Sequence, residues 1–305
     1  SGRSGYIRDC VSNTEVLATK EEIQAVQVFA SMLMADYGYP KAHIQTRPQW
    51  RVKASPSDTT KKYPVDIAVF SSEHKTDESL FLVVECKKTS RKDGRTQLED
   101  YMRLSLASLG VWFNGSESLF IHKVEQGGKV VFEEIPNIPR YGQRFEDVGQ
   151  FRRDDLQTPS NLKVIFEAIH NHLAGNTVGA TRDEALAREL INLVFCKIYD
   201  EKYTAPADIV KFRAGVREPK ADVRSRIEKL FQDVKRKYPD VLDVSDKIDL
   251  DDDSIVHVVG KLQNFCLSDA NRDAVAEAFE TFIGGALKGG QGQFFTPRNV
   301  ARLMA

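Results

Sequence analysis

The sequence is short of the features that would assign it quickly. It holds four cysteines in 305 residues, Cys10, Cys86, Cys196 and Cys266, with no CxxC pair. Such spacing excludes a zinc knuckle and a disulfide scaffold and predicts a reducing, cytoplasmic setting. No apolar run approaches the roughly 18 residues that a membrane span needs, and the opening SGRSGYIRDC has no apolar signal core. Charge of one sign is not in excess. Lys and Arg number 43 against 44 Asp and Glu, a net charge of −1, so any DNA contact must come from basic residues gathered locally. No GxxxxGK[ST] occurs, which excludes P-loop ATP hydrolysis. An initiating Met is missing, and VARLMA at the other end stops inside an amphipathic pattern. Both ends are therefore expected to be cuts in a longer protein.

What is present is a globular composition, 41% hydrophobic and 29% charged, enough for about two domains. Residues 1–14 are polar and read as a flexible N-terminus. From Thr19 to Tyr37 the residues Ile23, Val26, Phe29, Ala30 and Leu33 recur at helical spacing, and Gly38 and Pro40 stop that helix. Strand-like segments follow at 43–54, 65–70 and 80–86, the last (LFLVVEC) a continuous apolar run suited to burial on both faces. A helix is predicted over 95–109, then strands at 111–115, 119–124 and 130–135 with tight turns at Asn114-Gly115 and Gly127-Gly128. Helix, strands, helix, strands means a mixed sheet with helices on it. Punctuating residues over 136–160 mark a boundary. Beyond it, 160–174, 182–203, 206–213, 219–237, 253–266 and 270–287 show helical periodicity, with Ser254 and Ser268 as expected caps.

The chemistry concentrates at two strand ends. Asp66 follows Pro64 at the start of one strand, and Glu85-Cys86-Lys87 closes another. Two carboxylates brought together by adjacent strands can hold a divalent cation that prefers oxygen ligands and keeps several waters. The backbone carbonyl of Cys86 is a natural additional ligand. Lys87, two residues past Glu85, points to the same face, where a cation can orient a water for attack on a phosphodiester. Charges ending so apolar a strand would be costly without a purpose; the bland alternative is a strand-end ion pair. Glu22 lies on the apolar face of the first helix and could add a carboxylate, with Glu21 competing for the same task. Gln97 and Tyr101, four apart, share a helical face. KKTSRKDGR (87–95) gathers basic residues beside the acids, as phosphate binding requires.

In this order, TKEEIQAVQVFASMLMADYGYP, KYPVDIAVF, LVVECKK, QLEDY and GVWFNG resemble the PD-(D/E)xK nucleases, and more narrowly the N-terminal nuclease domain of type I restriction enzyme R subunits. The resemblance covers roughly residues 15–135. It implies Asp66 and Glu85 as metal ligands for Mg²⁺ or Mn²⁺, Lys87 as the catalytic lysine and Gln97-x-x-x-Tyr101 as the family's extra motif. The usual Pro-Asp pair is spaced here as Pro64-Val65-Asp66. The family's helicase motor is not in this sequence.

A second signature is GGQGQFFTPRNVARLMA (289–305), a glycine-rich turn with Thr296 before Pro297 opening a helix. GQFFTPR resembles the start of N6-adenine DNA methyltransferases of the type I modification-subunit kind. There the Phe-Thr-Pro segment borders the S-adenosylmethionine pocket, which implies a cofactor-binding role for Phe295, Thr296 and Pro297. ELINLVFCKIYDEKY and DIVKFRAG resemble the helical region that precedes those methylases. The catalytic (N/D)PP(Y/F) tetrapeptide is missing, so the chain as given is not expected to methylate.

The expected fold is thus an α/β mixed-sheet PD-(D/E)xK nuclease domain followed by an all-α helical domain. The expected parts are 1–14 flexible, 15–150 endonuclease, 151–288 helical connector and 289–305 the start of a methylase. The expected function is metal-dependent hydrolysis of double-stranded DNA within a fused restriction–modification polypeptide. Its target would be chosen by a specificity subunit or a downstream recognition domain. The alternatives are a non-cutting DNA-binding module or an interaction platform of a DNA methyltransferase.

Overall fold

The computed structural model describes residues 3–53, 57, 59, 61–176, 182–240, 242 and 245–270. The chain divides into two compact units, Ser1–Gly142 and Gln143–Ala305.

The first unit is built on a six-stranded mixed sheet. Its strands, in chain order, are β1 (Tyr6–Arg8), β2 (Glu15–Leu17), β3 (Ile44–Gln45), β4 (Arg51–Lys53), β5 (Lys61–Pro64), β6 (Ile67–Phe70), β7 (Leu80–Cys86), β8 (Leu109–Phe113), β9 (Ser118–Gln126) and β10 (Lys129–Glu134). The large sheet runs β10-β9-β8-β7-β6-β3, while β1-β2 and β4-β5 form separate ribbons. Every neighbouring pair of the large sheet is antiparallel except β7 and β8, which run parallel. Parallel neighbours need a crossover, and helix α2 (Arg95–Arg103) provides it.

Period-two alternation assigns the two faces. Ala68, Val83, Trp112 and Ile121 pack with Leu98, Tyr101 and Met102 of α2. Gly110 lets α2 approach: a Cβ there would sit 2.3 Å from the Met102 sulfur. On the opposite face Phe113 meets Phe29 of α1 (Gln27–Ala35), ring centroids 5.1 Å apart. Central strands covered on both faces explain why β6, β7 and β8 are almost wholly apolar.

Several elements differ from the periodicity. Residues 6–8 do not form a flexible tail: Tyr6–Arg8 pairs antiparallel with Glu15–Leu17, and the carboxylate of Asp9, fully buried, accepts the backbone N–H groups of Val11 and Ser12 between them. A π-helical turn, Glu22–Val26, leads into α1. Its extra residue per turn rotates the preceding side chains, so Glu22 turns inward at 5% exposure and Ile23 outward at 47%. The segment 43–54 breaks into β3 and β4 around Pro48, which cannot donate to a ladder. Helix α2 ends at Arg103 instead of 109. The hairpin turn at Gly127-Gly128 holds both residues at positive φ, 59° and 76°, as two-residue turns require.

In the second unit α3 (Leu162–Asn176), α4 (Arg182–Tyr203), α5 (Lys220–Lys237) and α6 (Asp252–Leu262) surround one apolar core. Residues 206–213 do not form the expected helix. The Asp200 carboxylate accepts the N–H groups of Lys211 and Phe212 at 2.6 and 2.7 Å, and Val210 donates to Phe151, so the backbone bonds outward. Asp251 caps α6 by accepting from Ser254 N at 2.7 Å; Ser254 sits inside the first turn instead of capping it. The segment 270–287, the cap at Ser268 that depends on it, and Phe295, Thr296 and Pro297 concern a stretch that lies outside the described residues beyond residue 270. No helix among the described residues is long and apolar enough to cross a membrane.

Candidate active site

The register of β6 and β7 brings the two acids together. Ile67 pairs with Val84 in antiparallel order, and one step further Asp66 stands opposite Glu85 on the same face. The pairing is fastened by Cys86 N–H, which donates to Asp66 Oδ2 at 2.8 Å. Gln49 Nε2 donates to the other oxygen, Oδ1, at 3.2 Å. Lys87 continues the strand, its N–H donating to Phe113 O at 2.9 Å, and its side chain falls on the Glu85 face.

A chain of hydrogen bonds then runs from β7 to α2. Lys87 Nζ donates to Glu85 Oε1 and, at 3.2 Å, to Gln97 Oε1. Gln97 Nε2 donates to the Tyr101 hydroxyl oxygen. The i, i+4 spacing on α2 makes this possible, because one helical face presents both groups. The loop leading into α2 is shaped to the lysine. Gly94 has φ +115°, and a Cβ there would lie 2.9 Å from Lys87 Cε and 3.0 Å from Trp112 Nε1. The Trp112 indole N–H donates to Asp93 O at 2.8 Å, which pins that loop over the strand end.

The electrostatics of the pair follow from its burial. Burial pushes the Asp66 carboxyl up to about 6, although the Cys86 N–H and the charges of Lys87 and Arg47 pull against it. Burial, then the charge of Asp66, pushes Glu85 up to about 7. Burial works against the Lys87 cation, but its bond to Glu85 and the surrounding acids outweigh that and raise it. Burial is the largest cause in both acids, and the lysine offsets it only in part. Among the described residues no group of three or more His, Cys, Asp and Glu side chains is arranged to hold a metal ion. Two hard carboxylates alone suit an ion that retains several waters better than a closed structural site.

Glu22 is engaged with other side chains. Its carboxylate is taken by Arg47 Nη2 at 2.5 Å and Gln27 Nε2 at 2.8 Å, because the π turn carries it inward. The helix acid whose charge reaches Asp66, Glu85 and Lys87 is Glu21. The Cys86 thiol is buried, and burial holds it well above the usual thiol range, which disfavours the reactive thiolate. The basic loop is less available than its composition implies. Arg91 pairs with Asp93, Lys92 with Glu117 at 2.7 Å, and Arg95 with Glu99 at 3.0 Å and Glu134 at 2.5 Å. These pairs lie at the surface, each with at least one exposed partner, and are of small net value, open to exchange with another anion. Gln49, Arg47 and Gly94 were not legible as site residues. Only the Gly before a helix start gave a signal, and a general one.

No curated protein matches this chain. Residues 21–139, which carry Asp66, Glu85, Lys87, Gln97 and Tyr101, match the family model described as the N terminus of the type I restriction enzyme R protein (HSDR_N), a similarity that supports a restriction-enzyme-related role for this region.

Proposed function

We propose that the first unit is a PD-(D/E)xK-type endonuclease that hydrolyses DNA phosphodiesters with Mg²⁺ or Mn²⁺. The observation that carries this reading is the facing of Asp66 and Glu85 at the ends of β6 and β7, both raised in pKa by burial and with Lys87 beside them. Asp66, Glu85 and the Cys86 carbonyl would hold the ion, with Glu21 as the helix acid in place of Glu22. When bound, such an ion supplies Lewis acidity to a phosphate oxygen and to water.

The side chains do the rest. Lys87, kept protonated, donates to the attacking water and to the charge that develops on phosphate. Gln97 fixes its ammonium direction, and Tyr101 fixes Gln97. The water oxygen forms a bond to phosphorus as an ester P–O bond breaks; the water's proton passes to solvent and the leaving oxygen takes one from solvent, so the products are a phosphate monoester and a hydroxyl, with no covalent enzyme intermediate. We further propose that the chain is the restriction part of a fused restriction–modification polypeptide, with S-adenosylmethionine serving a methylase that begins near Phe295, Thr296 and Pro297. Nicking of supercoiled plasmid by the full chain in Mn²⁺, against an EDTA control, tests the nuclease reading. Metal-dependent nicks that vanish in Asp66→Ala support it. Intact plasmid on unmethylated DNA carrying the target site favours a non-cutting DNA-binding module.

A further inference from the structure

Arg47 occupies an unusual position beside the acid pair. Its Nη2 donates to Glu22 Oε2 at 2.5 Å and its Nη1 to Thr46 O at 2.8 Å. The Glu22 side chain is nearly buried at 7% exposure, whereas that of Arg47 keeps 23%. Two residues along the same segment, Gln49 donates to Asp66, so this stretch of backbone lies against the site. The charge of Arg47 also reaches Asp66 and favours its ionised form.

Glu22 has a second holder. Gln27 Nε2 donates to Glu22 Oε1 at 2.8 Å and to Asp9 Oδ2 at 2.7 Å. Asp9 is in turn fixed by Thr46 Oγ1 at 2.6 Å. Glu22 is therefore still hydrogen-bonded if Arg47 turns away. A guanidinium has five N–H donors, and the two contacts above leave others open. It grips phosphate oxygens with the same forked geometry that it offers a carboxylate.

We propose that Arg47 is a phosphate-binding residue of this site, parked on Glu22 and transferred to the DNA backbone when a strand enters beside Asp66 and Glu85. Arg47 is then a substrate-positioning group, and Glu22 its resting partner instead of a metal ligand. The proposal rests on the nuclease reading for the identity of the strand it grips.

The test is binding of a short fluorescein-labelled DNA duplex to the full chain in Ca²⁺, followed by anisotropy across a salt series. Wild type, Arg47→Ala, Glu22→Gln and the double variant R47A/E22Q are compared, with melting curves for each. Arg47→Ala strands the Glu22 carboxylate and is expected to lower the melting temperature; the double variant restores it. A purely structural Arg47 predicts that the double variant also regains wild-type binding. Phosphate contact predicts that binding stays weaker by about tenfold and that the salt slope stays shallower by about 0.9. Glu22→Gln alone is expected to bind at least as tightly as wild type, since it releases the arginine. Wild-type affinity and slope in R47A/E22Q would overturn the proposal. Plasmid nicking in Mn²⁺ is a separate readout. A chain whose salt slope becomes shallower by about 0.9 in R47A/E22Q yet never nicks DNA overturns the nuclease reading and leaves Arg47 as a phosphate contact.

Discussion

Two groups of buried acids in this chain have opposite fates. In the helical unit, Glu201 is fully buried with Lys197, Nζ to Oε1 3.1 Å. Its two oxygens also accept Leu267 N–H at 3.0 Å and Ser268 N–H at 2.8 Å. Asp200, next to it, takes two backbone N–H groups and the Thr204 hydroxyl. Each carboxylate oxygen accepts at least one hydrogen bond there, and the acids stitch helix α4 to the segments around it. In the sheet unit, Asp66 accepts Cys86 N–H and Gln49 Nε2, Glu85 accepts Lys87 Nζ, and burial raises both acids. Acids that burial raises this far, gathered at a strand end, are candidates for a functional site.

The largest effect expected from that contrast is on cleavage. Asp66→Ala or Lys87→Ala should reduce Mn²⁺-dependent plasmid nicking by roughly 10²–10⁴-fold, with circular dichroism unchanged. Wild-type nicking by either variant would break the assignment. Glu201→Ala should do the reverse. It strands the Lys197 ammonium and two N–H groups, at a cost of about 3–5 kcal/mol, seen as a lower melting temperature. Variant protein that remains folded should still nick DNA.

A smaller effect is expected at the group that acts through Lys87. Gln97→Ala should slow nicking by about tenfold with little change in duplex affinity. An equal loss of affinity would make Gln97 a DNA contact instead. The smallest effect is thermodynamic. Asp66 is raised from 3.8 to about 6 and Glu85 from 4.5 to about 7, so the folded chain holds more protons than the unfolded one between those values. The stability this gives is complete below pH ~4 and is lost as pH rises through about 6 to 7. Metal-free melting temperature should therefore fall between pH 5 and 8, and Asp66→Asn should flatten the slope. An unchanged slope in that variant would mean that other groups control it.

The parts of the site that share one element were legible from spacing. Glu85 and Lys87 follow from period two on a strand, and Gln97 and Tyr101 from i, i+4 on a helix. The pairing of Asp66 with Glu85 was legible too, because each sits at the end of an apolar run. What could not be read is long-range and irregular. The π turn that exchanges Glu22 for Ile23 depends on tertiary packing, not on the apolar spacing that both residues share. Arg47 and Gln49 come to the site across the break at Pro48, where the period-two pattern suggested one unbroken strand. The loop over 206–213 mimics a helix because its apolar residues recur at helical intervals, but Asp200 takes the N–H groups that a helix would have used.

The central claim is that Asp66 and Glu85 are a cation site and Asp200 and Glu201 are not. Anomalous scattering from crystals soaked in Mn²⁺ tests it most directly. The account predicts an ion between the Asp66 and Glu85 carboxylates, lost in Asp66→Ala, and none at Asp200 or Glu201. An empty pair with the two carboxylates turned apart, at Mn²⁺ concentrations that saturate known nuclease sites, would contradict it.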